Sequence, residues 1–344
     1  MIQNTLYTSD DPDCVSLVLG NANGAKLTVT NYGASVVSLE IPNKKGDLIN
    51  VIAGLDNVAD YEEVSYHPSA KFLGASIGRY AGRIREGRIK IDDEQYALYD
   101  QNEVHLHGGL KGFDKKFWKL ESTGDNTITF SYDSKHLEEG YPGNLRVKVM
   151  YQLSNDNELI ISYHATTDRD TFVNLTNHAY FNLDGSGSIL DHSLQLSCSD
   201  YLEVDALQLP TGQLKSVMGT PYDFLKPKSL QSLENYGLID DTFVFSSTNK
   251  KVDNQVPKIS LVSDKSGLKM EVRTNQPAVV IYTPESFPDW NFKNQSIYGR
   301  FPAICFECQN YPDAPNHHHF PSALVKANDK YENRTIFKFL AIQI

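Results

Sequence analysis

The sequence is poor in cysteine and in patterns that would hold a metal ion. Its four cysteines, Cys14, Cys198, Cys305 and Cys308, are too few and too scattered for a disulfide framework in a chain of 344 residues, so we expect reduced thiols. Cys305 and Cys308 form a C-x-x-C, but alternation along a strand points the two side chains to opposite faces. The histidine triplet at 317–319 also fails as a metal site, because adjacent residues of an extended segment cannot all face one ion. The sequence therefore predicts no metal site.

Basic residues and long apolar runs are also scarce. The chain has 32 Lys and Arg against 43 Asp and Glu, which gives a formal net charge of -11. A surface of this sign repels phosphate backbones and anionic lipids, which argues against nucleic-acid and membrane partners. The first residues lack the basic and apolar regions of a secretory signal, and no apolar run is long enough to span a bilayer, so we expect a cytoplasmic protein. Nucleotide fingerprints of the G-x-G-x-x-G and Walker types are absent, and we expect no cofactor.

What the sequence does have is alternation of apolar and polar residues. Apolar residues make up 40% of the chain and include 19 Tyr and 16 Phe, which is ample material for a core. They alternate through 145–153 and, after an Asn-Asp-Asn turn, through 159–163, which predicts a β-hairpin. Similar short strands recur between Gly, Asp, Asn and Pro turns, and helical periodicity is brief, near 229–237. We therefore predict a single all-β domain over residues 1–344, a large antiparallel β-sandwich with few short helices.

A strand-like segment at 174–182 carries polar side chains on one face. Alternation places on that face Asn174, Thr176, His178, Tyr180 and Asn182. Amide and imidazole groups pair with hydroxyls, and an aromatic ring suits the C–H face of a sugar, so this face fits a polyhydroxylated ligand. A solvated strand face explains the same pattern.

A second segment, 303–309, places a carboxylate within an apolar strand. Glu307 shares its face with the small residues Ala303 and Cys305, whereas the larger apolar residues point to the other face. Burying a carboxylate without partners is costly, so Glu307 is either exposed or functional.

Three further positions could bind a hydroxylated ligand. His107 is followed by two glycines that allow a ligand close to the backbone. Arg83 follows small residues and could fork to vicinal hydroxyls, and Asp240 or Asp241 could accept hydrogen bonds from them. Taken singly, a structural histidine or a surface charge explains each of these residues as well.

Taken together, these segments resemble the aldose 1-epimerase (galactose mutarotase) family. The matching stretches span nearly the whole chain and are NYGASVVSLEIPNKKG, GRYAGRI, LHGG, EEGYPGN, TNHAYFNLDG, LPTGQL, TPYDF, DDTF and FECQNYPDAPNHHHFPS. The resemblance implies a galactose mutarotase-like supersandwich with an open cleft and a sugar as its small-molecule substrate. It also implies that the family's catalytic base falls on Glu307 and its catalytic acid on His178.

The resemblance implies binding residues as well. His107, Arg83 and Asp240 fall on positions that hold sugar hydroxyls. Asp240 is preferred to Asp241 because the family's acid lies three residues before a phenylalanine, here Phe243.

Two departures from the family bear on the substrate. Many relatives carry asparagine where this chain has Gly82, and glutamine where it has Val280. Both changes remove polar contacts to hydroxyls, so the preferred sugar stays open, and a disaccharide is included. We expect a monomer or a homodimer.

The expected chemistry is acid–base ring opening and reclosure. Glu307 would take the proton of the C1 hydroxyl while His178, as imidazolium, protonates the ring oxygen. We expect a bell-shaped pH profile with its acidic limb from Glu307 and its alkaline limb from His178.

Three other functions fit parts of the same pattern. A glycoside hydrolase would pair Glu307 with a second carboxylate such as Asp240. A non-catalytic carbohydrate-binding protein would use the same residues only as hydrogen-bonding groups. A hexose-6-phosphate epimerase should show extra cations for the phosphate, and the candidate strands offer only Arg79 and Arg83.

Overall fold

The computed structural model describes residues 14–66, 71–246 and 256–342, and these form a predominantly β protein. Each strand in the sheets pairs antiparallel with its neighbours, as alternating segments joined by short turns allow. Within the described ranges no helix is long and apolar enough to cross a membrane. The prediction of an all-β protein with few short helices is confirmed.

The strands are short and follow one another along the chain. In the first half they are β1 Ser16–Gly20, β2 Lys26–Thr30, β3 Ser35–Pro42, β4 Leu48–Asn50, β5 Ser76–Ile77, β6 Arg83–Arg85, β7 Arg88–Ile91, β8 Glu94–Ala97, β9 Val104–Leu106, β10 Lys119–Gly124, β11 Thr127–Ser134, β12 Leu145–Leu153, β13 Glu158–Thr167 and β14 Thr171–Phe172. In the second half they are β15 Thr176–Asn177, β16 Tyr180–Phe181, β17 Ser193–Leu196, β18 Asp200–Val204, β19 Pro210–Ser216, β20 Lys228–Ser229, β21 Asp240–Val244, β22 Ile259–Ser263, β23 Leu268–Thr274, β24 Ala278–Tyr282, β25 Ile304–Gln309, β26 Leu324–Val325 and β27 Lys330–Ala341.

Helical segments of the described chain are brief and lie in connections. The α-helices are α1 Asp60–Ser65 and α2 Leu233–Tyr236. Single 3₁₀ turns lie at Phe113–Lys115, Glu138–Gly140, Leu230–Ser232, Lys293–Gln295 and Ala314–Asn316. The helical periodicity near 229–237 corresponds to one 3₁₀ turn followed by α2.

The largest sheet has nine strands in the order β10-β11-β12-β13-β27-β23-β22-β17-β20. The predicted hairpin is present as β12 and β13, with Leu153 paired to Leu159 across the turn. Strand β27 lies between β13 and β23 and pairs with both along most of its length. The sheet therefore joins strands that are far apart in sequence.

The core lies between this sheet and two smaller ones. These are a four-stranded sheet, β1-β2-β3-β4, and a six-stranded sheet, β16-β25-β24-β21-β18-β19. Phe181 of β16 packs against Phe337 of β27 with ring centroids 4.9 Å apart, and Phe306 of β25 lies next to Phe181. Fully burying a large apolar side chain contributes about 1.5–3 kcal/mol, so many such residues hold the layers together.

Strand β25 shows how alternation separates core from cleft. Phe306 and Cys308 face the main core, whereas Cys305 packs with Tyr180 on the opposite side. The prediction that the C-x-x-C thiols point apart is confirmed, and all four cysteines are free. The face of the six-stranded sheet that carries Cys305 is the one available to a ligand.

Candidate active site

The floor of a cleft is formed by the outer face of the six-stranded sheet. Strand pairing aligns the side chains of this face in rows that cross the strands. One row consists of Asp240, Tyr282, Cys305 and Tyr180. The next row consists of Thr242, Val280 and Glu307. His178 lies in the short connection between β15 and β16, two residues before Tyr180, and its imidazole reaches Glu307.

Glu307 and His178 meet at the end of the second row. Glu307 Oε1 and His178 Nε2 are 3.5 Å apart, and the residues are only 2% and 4% exposed. The other carboxylate oxygen, Oε2, is buried with no hydrogen-bond partner among the described residues. An unpartnered buried carboxylate oxygen costs free energy, which makes Glu307 a candidate for a functional role.

His107 lies beside this pair on a tight turn. The Gly82 backbone N–H donates to His107 Nδ1 at 3.2 Å, so Nε2 carries the hydrogen of the neutral ring. The His107 and His178 ring centroids are 5.7 Å apart. A side chain on Gly108 would lie 1.8 Å from the Gly78 carbonyl oxygen. The glycine after His107 therefore makes room for the protein's own backbone, and the expectation that the two glycines allow a ligand to approach stays a prediction.

Arg83 and Asp240 form the charged side of the cleft. The Arg83 guanidinium donates to Asp240 Oδ2 at 3.2 Å, and the two side chains are 26% and 25% exposed. The remaining N–H groups of Arg83 and the Oδ1 of Asp240 are not used in this ion pair, and both residues line the cleft. Asp241 faces away and contacts Tyr222, so Asp240 is the one of the two carboxylates that lines the cleft.

The cleft has a volume of about 200 Å³ and is lined by all five predicted site residues. Sequence analysis missed several other lining residues, among them Phe72, Lys71, Thr242, Tyr282 and Gln309. Gln309 has the parity of Glu307 on the same strand, so alternation alone could have found it. Phe72 and Lys71 come from an irregular segment and gave no sequence signal.

Burial moves the pKa values of the pair in opposite directions. It raises the pKa of Glu307 to about 8, with Asp240 adding to the rise and Arg83 opposing it. It lowers the pKa of His178 to about 4, and repulsion from Lys71 acts in the same direction. The pKa of His107 also lies well below its usual value, chiefly because of burial and then because of His178 and Arg83.

Both shifts favour the neutral forms, so in the unliganded cleft they favour a proton on Glu307 and none on His178 Nε2. These directions run against the expectation that Glu307 sets the acidic limb and His178 the alkaline limb, and the pH profile itself stays a prediction. The physical reason is desolvation, which penalises the carboxylate and the imidazolium alike and favours the neutral pair.

Donor atoms of His107, His178 and Glu307 all lie within 4.8 Å of one another, close enough to surround a small ligand or an ion. Metal binding requires a deprotonated carboxylate, and the raised pKa of Glu307 opposes that. Convergence on the hydroxyls of a ligand suits a protonated carboxyl and two imidazoles better.

Two candidate groups from the sequence lie outside the cleft. His317 Nε2 is 3.4 Å from Asp313 Oδ2, and His319 contacts the Gly212 carbonyl oxygen. Arg79 is buried and donates to the carbonyl oxygens of Pro142 and Gly143. These residues support the structure and do not add cations to the site.

The fold and the site define a class of protein: an antiparallel β-sandwich whose cleft holds a buried carboxyl–imidazole pair among groups that can hydrogen-bond to hydroxyls. The chain belongs to the aldose 1-epimerase family, whose model matches residues 15–338. The predicted family is thereby confirmed.

Known relatives agree with this assignment. Galactose mutarotase of Bos taurus is 37% identical over 323 residues, which cover 91% of each chain. Aldose 1-epimerase of Escherichia coli is 33% identical, over 94% of this chain and 95% of its own. Among solved structures, an aldose epimerase homologue from C. elegans superposes with a TM-score of 0.87 at 28% identity, over 96% of this chain and 100% of the other. The predicted supersandwich fold is confirmed by this likeness.

Proposed function

We propose that this protein interconverts the α and β anomers of an aldohexose such as galactose or glucose, and that Glu307 and His178 move the protons. Its relatives include proteins named galactose mutarotase and aldose 1-epimerase. Anomer exchange opens the hemiacetal ring, rotates about C1–C2 and recloses the ring. Opening removes one proton from the C1 hydroxyl and delivers one to the ring oxygen, so a base and an acid suffice. The observation that carries the proposal is the buried Glu307–His178 pair, 3.5 Å apart.

The substrate itself sets the protonation of the pair. The C1 hydroxyl is a donor and needs an acceptor opposite it, whereas the ring oxygen only accepts and needs an N–H. A sugar bound across the pair therefore favours ionised Glu307 and protonated His178, because hydrogen bonds to a charged form stabilise that form. The proton held by Glu307 in the unliganded cleft passes to His178, which supplies the base and the acid of ring opening. On reclosure the two residues exchange roles.

Three residues hold the sugar in place. Arg83 donates to vicinal hydroxyls, Asp240 accepts from one, and the Nε2–H of His107 donates to another. The rings of Phe72 and Tyr282 offer apolar faces to the C–H side of the pyranose. A positioned acid or base typically contributes ~10²–10⁴-fold, and these contacts add to the rate by fixing the geometry in which it acts.

Polarimetry of freshly dissolved α-anomers tests the proposal. We expect wild-type protein to speed the approach to equilibrium of glucose or galactose, and Glu307→Gln and His178→Asn to remove most of that rate. His164→Gln is the matched control, because His164 lies exposed on β13. If Glu307→Gln kept the wild-type rate, the assignment of the base would be wrong.

Three further measurements distinguish the alternative functions. Release of the aryl group from an aryl glycoside would indicate a hydrolase, and binding without faster equilibration would indicate a carbohydrate-binding protein. Activity confined to hexose 6-phosphates would indicate the phosphate-specific enzyme, for which Lys71 would join Arg83 as a cation of the cleft.

Substrate preference and assembly belong to the same proposal. Val280 lies directly across from Glu307 and Thr242 in the cleft floor and offers no polar contact. Including maltose and lactose in the polarimetric panel decides between free hexose and disaccharide. We propose a monomer or a homodimer, which light scattering distinguishes.

A further inference from the structure

A chain of hydrogen-bonding groups runs from the buried side of His178 to the backbone. His178 Nδ1 lies 3.5 Å from Cys305 Sγ. The thiol also contacts the Tyr180 hydroxyl, and that hydroxyl donates to the Lys71 carbonyl oxygen at 2.6 Å. His178, Cys305 and Tyr180 are almost completely buried, so water does not compete for these contacts.

The backbone end of this chain fixes the direction of each hydrogen bond. A carbonyl oxygen only accepts, so Tyr180 gives its hydrogen to Lys71 and presents a lone pair to the thiol. The thiol then donates its S–H to Tyr180 and presents sulfur lone pairs to His178. If the thiol gave its hydrogen to Nδ1 instead, the Tyr180 oxygen would receive none, so this order of hydrogen bonds is complete only when Nδ1 of His178 carries a hydrogen. The hydrogen bond of the ring to the His178 backbone carbonyl also needs an N–H and favours the same tautomer.

We propose that Cys305 is a positioning residue that holds His178 in the Nδ1–H tautomer, which makes Nε2 the nitrogen that gains and loses the catalytic proton. This inference rests on the proposed role of His178. Nε2 faces Glu307 Oε1 at 3.5 Å and is the ring nitrogen on the substrate side. The Nδ1–H remains hydrogen-bonded to the sulfur in both the neutral imidazole and the imidazolium. The thiol keeps its hydrogen throughout, and no covalent bond to Cys305 forms.

A sulfur partner also suits the strength of the acid. A carboxylate at this place would stabilise the imidazolium, whereas sulfur is a weak acceptor that orients the ring with little stabilisation of its charge. The backbone carbonyl of His178 also accepts from the ring, but burial lowers the pKa by more than this hydrogen bond raises it. His178 thus stays a strong acid when it is protonated. The titratable and charged groups that face it from the elements packed against it are Glu307, Cys305, Tyr180, Tyr282, His107 and Lys71.

The first test determines the tautomer without any activity measurement. Ring ¹⁵N chemical shifts of His178, assigned against a His178→Gln variant, are recorded at pH 7, where the ring is neutral. We expect Nδ1 as the protonated nitrogen and Nε2 as the bare one. In Cys305→Ala the Nδ1–H loses its sulfur acceptor and keeps only the His178 backbone carbonyl, and we expect the Nε2–H form to gain population. An Nε2–H tautomer in the wild-type protein overturns the proposal.

The second test is kinetic and uses two thiols of one strand. Cys305→Ala should lower kcat about tenfold with little change in KM, because one hydrogen bond to the acid is lost. Cys305→Ser should recover most of kcat, since a hydroxyl can accept from Nδ1 and donate to Tyr180. As a better acceptor it should also move the acidic limb of kcat/KM to higher pH.

Cys308→Ala is the matched control. Cys308 is equally buried on β25, but it faces the main core. We expect this variant to lose stability while kcat and the pH profile stay at wild-type values. If the two alanine variants had the same kcat and the same pH profile, Cys305 would serve packing alone and the proposal would fail. An Nδ1–H tautomer in a protein that does not speed anomer exchange would refute the proposed function and leave the orientation of His178 intact.

Discussion

At the scale of single residues, the burial of Glu307 both raises the pKa of its carboxyl and makes the stability of the protein depend on pH. Its pKa rises to about 8 in the folded protein from an ordinary value of 4.5. A raised carboxyl pKa contributes stability that is fully present below the unfolded value and is lost as the pH rises through the folded one. The stability that the neutral carboxyl contributes therefore falls as the pH rises from 4.5 to about 8 and is absent above that range.

Replacing this carboxyl should lower the activity and raise the stability of the protein at alkaline pH. We expect Glu307→Gln to lower kcat by about 10²–10⁴-fold, as loss of a positioned base does. We also expect the variant to unfold at higher denaturant concentration than the wild type at pH 9, with a smaller difference at pH 5. Urea titrations at the two pH values check this, and an equal difference at both would contradict the pKa shift.

The charged pair beside Glu307 should move the alkaline limb of the pH profile. Asp240 raises the pKa of Glu307 and Arg83 lowers it. Asp240→Asn should therefore shift the alkaline limb of kcat/KM to lower pH, and Arg83→Met should shift it to higher pH. Both variants should raise KM, because each loses a hydroxyl contact. Shifts in the same direction would show that the two charges do not act on Glu307 electrostatically.

At the scale of elements, β25 serves the core with one face and the cleft with the other. Phe306→Ala should lower the free energy of unfolding by about 3–5 kcal/mol, the usual result of emptying a large buried site. The limbs of the pH profile should stay in place, because Phe306 faces away from Glu307 and His178. Thermal denaturation and a kcat/KM profile of the same preparation test both halves of this prediction.

Alternation along strands is also what made the sequence informative. It predicted the hairpin at β12 and β13, and it placed Glu307 on the outer face of β25. It could not give the pairing of β24 with β21 and β25, because register depends on contacts between distant segments. Tyr282 was missed for that reason, and Phe72 was missed because its irregular segment has no period. The convergence of His178 and Glu307 came from the family resemblance, and the structure supplied the distance.

The order of the two pKa values was beyond the sequence for a different reason. It depends on how completely Glu307 and His178 are buried and on whether charged groups oppose that burial. Both are properties of the assembled cleft. Asp240 and Arg83 act on Glu307 in opposite directions, so desolvation dominates the outcome.

At the scale of the whole molecule, buried neutral histidines should make the fold sensitive to acid. Burial lowers the pKa of His105, His178 and His192 to about 4 in each case. The unfolded chain binds protons on these groups near pH 6.5, so their stabilising contribution is present above that pH and is lost as the pH falls toward 4. Each pKa unit of difference is worth roughly 1.4 kcal/mol.

Denaturant unfolding from pH 7 to pH 5 measures this loss. We expect a steep fall in the free energy of unfolding across that interval, before most carboxylates titrate. His164→Gln should leave the slope unchanged, because His164 is exposed on β13. A free energy that stays flat down to pH 5 would mean that the three histidines are not held neutral.

The single-domain prediction is tested by the unfolding of the whole chain. One cluster of buried residues contains members of the four-, six- and nine-stranded sheets, so none of these sheets buries its apolar face alone. We expect one cooperative transition in calorimetry, with loss of anomer exchange at the same temperature. Two separated transitions would divide the chain into domains.

The position of β27 has a consequence for biosynthesis. Lys330–Ala341 lies between β13 and β23 in the largest sheet, and a ribosome makes it after every other strand described here. The edges of β13 and β23 that pair with β27 stay without this partner until residues 330–341 have been made. The nascent chain is open to intermolecular strand pairing during that interval, and we expect a chain that ends before Lys330 to aggregate.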